Sequence, residues 1–381
     1  MRFYLIAGEP SGDALGAALM AGLKQLAPDV EFHGVGGPLM QGQGLVSQFA
    51  MDELSVMGIA EVLPKYRALK RRIAECAGEV LRLKPDAMIT IDSPDFCLRV
   101  AKRVKAASDI RTIHYVAPSV WAWREGRAAK MARVIDHVLA LLPFEPPLMQ
   151  AAGMGCDFVG HPVVCEPVAS TKQVNDFRTR HGIGDAPLML VLPGSRHGEV
   201  TRLTPVFGQT IQRIQQSCPD LRVVLPAAGA VAPMVQQLVA DWPVKPIVLD
   251  PTQLGASAAT EKHAAFAAAD VALAASGTVS LELAAANTPM VIAYDMNWLS
   301  RTLIRRMLKV DTVTLVNLVS DTRVVPEFLG ADCTPEKIAA GILGVLKKPG
   351  AQTNAMELTM LRLGLGGESP GLRAARAVLG I

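Results

Sequence analysis

Short apolar runs alternate with helix-like segments along most of this chain, and that alternation restricts the fold more than any other feature. The runs are Phe3–Ala7, Ala87–Ile91, Thr112–Val116, Val138–Leu142, Leu188–Leu192, Leu221–Leu225, Pro246–Leu249, Val271–Ala274 and Met290–Ala293. Each has the length of a strand buried on both faces. After the first comes a helical stripe, Leu15, Leu19, Leu23 and Leu26, stopped by Pro28. Strands separated by helices pair in parallel through right-handed crossovers. The pattern falters after Gly160-His161-Pro162, where Pro167, a polar stretch, Gly182 and Gly184 follow. At 381 residues the chain exceeds what one core usually serves. The expected fold class is therefore α/β, with two Rossmann-like, doubly wound parallel-sheet domains. Residues 1–165 form the first and 166–348 the second, while a helical segment, 349–381, packs back on the first.

Composition sets outer limits. Hydrophobic residues are 50% and charged residues 19%, enough for two cores and too little charge for disorder. A net charge of +3 gives no ground for a nucleic-acid partner. The six cysteines form no CxxC pair, so buried thiols in a reducing cytosol are expected rather than a metal site. Phe3–Ala7 is too short for a signal peptide, and no run approaches the ~18 apolar residues of a membrane span.

Several turns after the apolar runs carry candidate chemistry. Ser276-Gly277-Thr278 ends one run and opens a helix bearing Glu282. Backbone N–H groups there suit phosphate, and Glu282 suits ribose hydroxyls; an ordinary N-cap is the alternative. In Pro193-Gly194-Ser195-Arg196 the guanidinium offers forked donors to a diphosphate, or pairs with Glu199. Asp92-Ser93-Pro94-Asp95 places two carboxylates at a strand end, where Asp95 is either a general base or a helix cap. Asp86 precedes the same strand and reads as structural, with a network role in orienting its neighbours as the other option. Gly8-Glu9-Pro10-Ser11-Gly12-Asp13 is not GxGxxG, and Glu9 would repel a pyrophosphate, which argues against a dinucleotide. Gly34-Val35-Gly36-Gly37 shows no clear helix start after it. In Pro118-Ser119-Val120-Trp121-Ala122-Trp123-Arg124 the indoles either wall a sugar or lipid site or fill core. His114 and His161 read as hydrogen-bonding structural residues. Two apolar-basic segments, Val56 to Arg72 and Trp298 to Lys309, suit an anionic lipid surface or a solvated helix face.

Taken in order, these motifs resemble the lipid-A-disaccharide synthases, inverting glycosyltransferases of GT-B fold. The matching strings are Ala7 to Asp13, Ser55-Val56-Met57-Gly58, Ile91 to Phe96, His114 to Arg124, Leu142-Pro143-Phe144-Glu145, Gly160-His161-Pro162, Leu192 to Arg196, Ala275 to Thr278 with Glu282, and Val316-Asn317-Leu318. The resemblance implies transfer of 2,3-diacylglucosamine from UDP-2,3-diacylglucosamine to 2,3-diacylglucosamine 1-phosphate. The products are a β-1,6 disaccharide phosphate and UDP. It implies Asp95 as base, with Arg196 at the diphosphate and Asp86 as a supporting carboxylate. It further implies Ser195, Ser276, Gly277, Thr278, Glu282 and Asn317 around the nucleotide, and Glu9, Ser11, Asp13, Ser119 and Trp123 on the acceptor side. No cofactor or metal is implied. A cytoplasmic protein held peripherally at the inner membrane is expected, and the family suggests a homodimer. Cys97, Cys165 and Pro10 depart from the common pattern, where asparagine, aspartate and alanine are usual.

Rival readings are a UDP-N-acetylglucosamine 2-epimerase of the same fold, a nicotinamide-dependent oxidoreductase and a non-catalytic nucleotide-binding protein. The missing GxGxxG speaks against the oxidoreductase. A 2-epimerase has no use for a lipid-facing surface.

Overall fold

The computed structural model describes residues 1–54, 66–121, 126–295 and 310–381, and the helical backbone of residues 59–65. The chain divides into two compact units, residues 1–162 with 366–381 and residues 163–365.

The first unit is built on seven parallel strands: β1 (Arg2–Ala7), β2 (Glu31–Val35), β3 (Val46–Ser47), β4 (Ala87–Ile91), β5 (Arg111–Tyr115), β6 (His137–Ala140) and β7 (Gly155–Phe158). They lie in the order β3-β2-β1-β4-β5-β6-β7, so the winding reverses between β1 and β4. Alternate side chains feed opposite faces. Tyr4 and Ile6 join a core with helices α3 (Ile59–Leu83) and α4 (Pro94–Lys105). Phe3, Leu5 and Ala7 join another with α1 (Pro10–Leu26) and the helix Pro370–Leu379. Both faces are covered, which is why β1 and β4 are runs of buried residues rather than alternations.

The helix Pro370–Leu379 lies against α1 through small residues. A Cβ on Gly22 would come within 2.7 Å of the Gly371 carbonyl oxygen. Arg111 donates to the Val378 carbonyl at 2.5 Å, and Arg373 to that of Phe158 at 2.7 Å. Of the segment 349–381, only this last helix joins the first unit. Helix Thr353–Arg362 stays in the second, where Arg362 donates to the Val319 carbonyl at 2.6 Å. The first unit ends at Pro162 rather than 165, because Val163 is buried in the second unit.

The second unit has six parallel strands: β8 (Leu188–Leu192), β9 (Arg222–Pro226), β10 (Ile247–Leu249), β11 (Val271–Ala274), β12 (Met290–Tyr294) and β13 (Glu327–Leu329). Their order is β10-β9-β8-β11-β12-β13, with the reversal between β8 and β11. Met189 and Val191 pack with Leu203, Phe207 and Ile211 of the helix His197–Gln215, and with Ile338 and Ile342 of the helix Pro335–Lys347.

Gly34 to Gly37 does lead into a helix, α2 (Pro38–Gly42). Its start is held by Asp13, whose carboxylate accepts from the N–H groups of Gly37, Leu39 and Met40 at 2.9, 2.9 and 3.0 Å.

Candidate functional site

In doubly wound sheets ligands settle at the carboxyl edge, beside the strand pair where the winding reverses. In the first unit that pair is β1 and β4, which end level, Ala7 beside Ile91. The turns that leave them are Gly8-Glu9-Pro10-Ser11 and Asp92-Ser93-Pro94-Asp95. Asp92 and Ser93 take φ of 51° and 44°, a left-handed conformation uncommon outside glycine. The strained turn brings Ser93 so close to Gly8 that a Cβ there would meet Ser93 Oγ at 2.6 Å. Pro10 and Pro94 then start helices α1 and α4.

Asp95 stands exposed in the first turn of α4. Ser93 occupies the N-cap position, so Asp95 is not the cap. Its carboxylate makes no hydrogen bond or ion pair among the described residues. With Glu9, Ser93, Phe96 and Arg99 it lines a cavity of about 350 Å³. Ser11 is exposed on the first turn of α1, and Ser119 is exposed beyond β5, on the same sheet edge. Trp123 lies outside the described residues, as do Ser55-Val56-Met57-Gly58 and the basic segment from Trp298 to Lys309.

Two expected site residues of this unit have other roles. Asp13 is 2% exposed, and its clamp on the Gly37–Met40 turn uses both oxygens. Asp86 sits at the amino edge of the sheet and accepts from the Arg2 N–H at 2.6 Å. The five residues of β4 lie between it and Asp92, six steps or about 20 Å at strand rise, too far for a direct network.

Glu145 is buried at 3% exposure and accepts from the Leu142 N–H at 3.0 Å. Burial pushes its carboxyl up to about 7. Beside it Phe144 meets Trp121 edge to face, with centroids 5.5 Å apart. His114 is buried with Nδ1 2.7 Å from Thr90 Oγ1, and burial lowers its imidazole to about 4.

In the second unit the reversal pair is β8 and β11, with Leu192 beside Ala274. The Ala275 N–H donates to the Leu192 carbonyl at 2.8 Å, so the turns Pro193–Arg196 and Ala275–Thr278 leave adjacent strands side by side. Gly194 takes φ 109°, and a Cβ there would strike the Glu199 side chain. Glu199 organises this turn. Its carboxylate accepts from Ser195 N–H, Arg196 N–H and Tyr294 Oη at 3.3, 3.4 and 3.3 Å. Arg196 Nη1 reaches the same carboxylate at 3.2 Å, while two-thirds of its side chain stays exposed. Ser276 is half-buried, and Gly277 and Thr278 are exposed at the start of the helix Val279–Ala285. Glu282 of that helix is ion-paired with Lys262, a partner too far along the chain to be seen in sequence.

Asn317 departs from expectation. It is 1% exposed, donates to Thr312 Oγ1 and the Val325 carbonyl at 3.2 and 3.0 Å, and accepts from the Val325 N–H at 3.0 Å. Its amide is committed to holding the segment 312–325 together.

Known structures share this architecture. A UDP-N-acetylglucosamine 2-epimerase from Neisseria meningitidis, solved with UDP-GlcNAc, superposes with a TM-score of 0.65 at 11% identity, over 100% of this chain and 99% of that chain. MurG from Acinetobacter baumannii superposes with a TM-score of 0.58 at 15% identity, over 100% and 99%. Likeness at such identity defines a class, the GT-B fold of two Rossmann-like domains, and leaves the reaction open. Sequence narrows it. The family model for lipid-A-disaccharide synthetase matches residues 3–373. The lipid-A-disaccharide synthase of Ruegeria pomeroyi is 66% identical over 380 residues, 100% of this chain and 95% of its own length. That of Rhodospirillum centenum is 49% identical over 387 residues, 100% and 94%. The chain belongs to the lipid-A-disaccharide synthetase family.

Proposed function

We propose that this chain catalyses the reaction for which its family is named, with a base in the first unit and a diphosphate cradle in the second. It is a glycosyltransferase of lipid A biosynthesis. The donor is UDP-2,3-diacylglucosamine and the acceptor 2,3-diacylglucosamine 1-phosphate. Asp95 accepts the proton of the acceptor's 6-hydroxyl as that oxygen attacks the anomeric carbon. Attack opposite the departing UDP inverts the centre. Charge growing on the diphosphate is met by the Arg196 guanidinium, by the Ser195 hydroxyl and by backbone N–H groups of Ser276, Gly277 and Thr278. Glu282 takes the ribose hydroxyls, releasing Lys262 as it does. Glu9, Ser11 and Ser119 line the acceptor side. Asp13, Asp86 and Asn317 serve the fold.

The observation that carries this reading is the Asp95 carboxylate, which has no partner among the described residues and is exposed beside a cavity at the strand reversal of the first unit. Because both substrates bear acyl chains, we also propose loading from an anionic membrane surface, and a homodimer. Among the described residues no helix is long and apolar enough to cross a membrane. On α3, Arg67 and Lys70 make no ion pair among those residues, whereas Arg71 and Arg72 are paired with Glu75 and Glu53. Arg67 is thus a cation left for a surface.

The test is product analysis after incubation with both acylated glucosamines. Disaccharide 1-phosphate and UDP are expected. Asp95→Asn should lower turnover by about 10²–10⁴-fold while UDP binding is retained. Unchanged turnover removes Asp95 as base.

A further inference from the structure

Between α3 and α4 the first unit opens into a groove whose two ends differ in chemistry. The inner end is the cavity at Asp95, with Leu54, Leu69 and Phe96 as apolar lining. Outward lies a second cavity of about 370 Å³, lined by Tyr66, Lys70, Ile73, Arg99, Lys102 and Arg103. Tyr66, Lys70, Ile73 and Arg99 belong to both, so the two form one continuous depression. Four of the outer side chains are cationic and none is acidic. Among the described residues none of the four is ion-paired, although close neighbours on the same helices are: Arg72 with Glu53 and Lys105 with Asp136. Lys70 and Arg99 also border Glu9 and Asp95 at the inner end, but the outer cluster itself holds four cations and no carboxylate, and so attracts an anion.

Asp95, Arg99, Lys102 and Arg103 follow one face of α4, at i, i+4, i+7 and i+8. At 1.5 Å per residue, Arg99 lies about 6 Å and Arg103 about 12 Å along the axis from Asp95. A hexose bound with its primary hydroxyl at Asp95 would present its anomeric substituent one ring further out, among these cations. A phosphomonoester carries nearly two negative charges at neutral pH, so it matches four cations better than the single charge of a phosphodiester headgroup.

We propose that the outer end of this groove is the binding site for the acceptor's anomeric phosphate, held by Arg99, Lys102 and Arg103 of α4 and Lys70 of α3. Leu69 and Ile73 meet an acyl chain below it. The site rests on the reading of Asp95 as base to the acceptor and deepens it: phosphate recognition sets which hydroxyl of the sugar reaches Asp95.

The experiment uses the whole chain with Arg99→Gln, Lys102→Gln and Arg103→Gln combined, in micelles of a neutral detergent free of anionic lipid. Equilibrium binding is measured for diacylglucosamine 1-phosphate and for the same compound without phosphate, alongside transfer kinetics. The triple variant is expected to bind the phosphorylated lipid at least about tenfold more weakly, as loss of charge-assisted hydrogen bonds implies. Its acceptor KM should rise in step, with donor KM unmoved, and the dephosphorylated compound should bind both proteins equally. Equal losses for the two compounds would overturn the proposal. So would unchanged binding in neutral micelles with a loss only on anionic vesicles, which would assign the cations to a membrane headgroup. A wild-type protein that binds the phosphorylated lipid through these cations yet makes no disaccharide would keep the site and remove the transferase reading. Disaccharide formation that the triple variant leaves untouched would do the reverse. All three side chains are solvent-exposed, so thermal unfolding of the variant should match wild type. Lys70→Gln alone, on the facing helix, gives an independent and smaller rise in KM.

Discussion

Asp13 and Asp95 both follow a proline-started turn at the strand reversal of the first unit, yet their surroundings give them opposite work. Asp13 is sealed among three backbone N–H groups, while Asp95 faces a cavity with no partner among the described residues. Sequence shows a carboxylate near a strand end. It does not show that the N–H groups of Gly37, Leu39 and Met40, more than 20 residues away, come to one of them. The surroundings of Asn317 are hidden for the same reason, since its partners Thr312 and Val325 lie on either side of the short helix Leu315–Ser320 and no motif announces that they meet. Glu145 yields a prediction at this scale. Its folded carboxyl is raised to about 7 against 4.5 for the free group, so the folded state favours the protonated form. Stability is therefore greatest below pH 4.5 as far as this group is concerned, and falls as pH rises towards 7, by on the order of 3 kcal/mol. Glu145→Gln should remove that fall. Urea midpoints of variant and wild type, compared at pH 5 and pH 8, check it, because the opposite contributions of buried histidines cancel in the difference.

Among elements, the interior strands are legible, and so is the apolar edge strand β10, whereas the more polar strands at or beside the other edges are not. Ala87–Ile91, Leu188–Leu192 and Val271–Ala274 form at their expected limits, since a strand covered on both faces must be apolar throughout. β2, β3, β7 and β13 give no apolar run, because at or beside these sheet edges one face need not be apolar. There polar residues such as Glu31, Asp157 and Glu327 are tolerated, and Val46 is 85% exposed. The small-residue contact between α1 and the helix Pro370–Leu379 was equally hidden, being a meeting of residues some 350 positions apart. It sets two effects against each other at Gly22. Helix propensity favours alanine there by about 1 kcal/mol. The new Cβ, however, would sit 2.7 Å from the Gly371 carbonyl oxygen, a backbone atom that yields only if the helices part. Gly22→Ala should therefore destabilise, by about 1–3 kcal/mol. A higher denaturation midpoint would show that the interface accommodates the methyl group.

Across the molecule, each unit repeats one plan: a parallel sheet, a reversal in winding, and candidate chemistry at the carboxyl edge beside it. That plan was readable because a doubly wound sheet advertises itself in every strand and its ligand turns follow in order. The division of labour implies a measurable asymmetry. All the proposed nucleotide contacts belong to the second unit, so UDP alone should slow amide exchange around Ser195–Glu199 and Ser276–Glu282 and leave Glu9–Asp13 and Asp92–Phe96 unchanged. Mass-resolved exchange with and without UDP tests this, and protection confined to the first unit would reverse the assignment. One feature of the architecture also bears on how the protein is made. The first unit closes with residues 366–381, which leave the ribosome only after the entire second unit has been translated. Until then α1 carries an uncovered stripe of glycine and alanine. The half that begins first on the ribosome is thus finished last, and the second half has the opportunity to mature while its companion still waits for its closing helix.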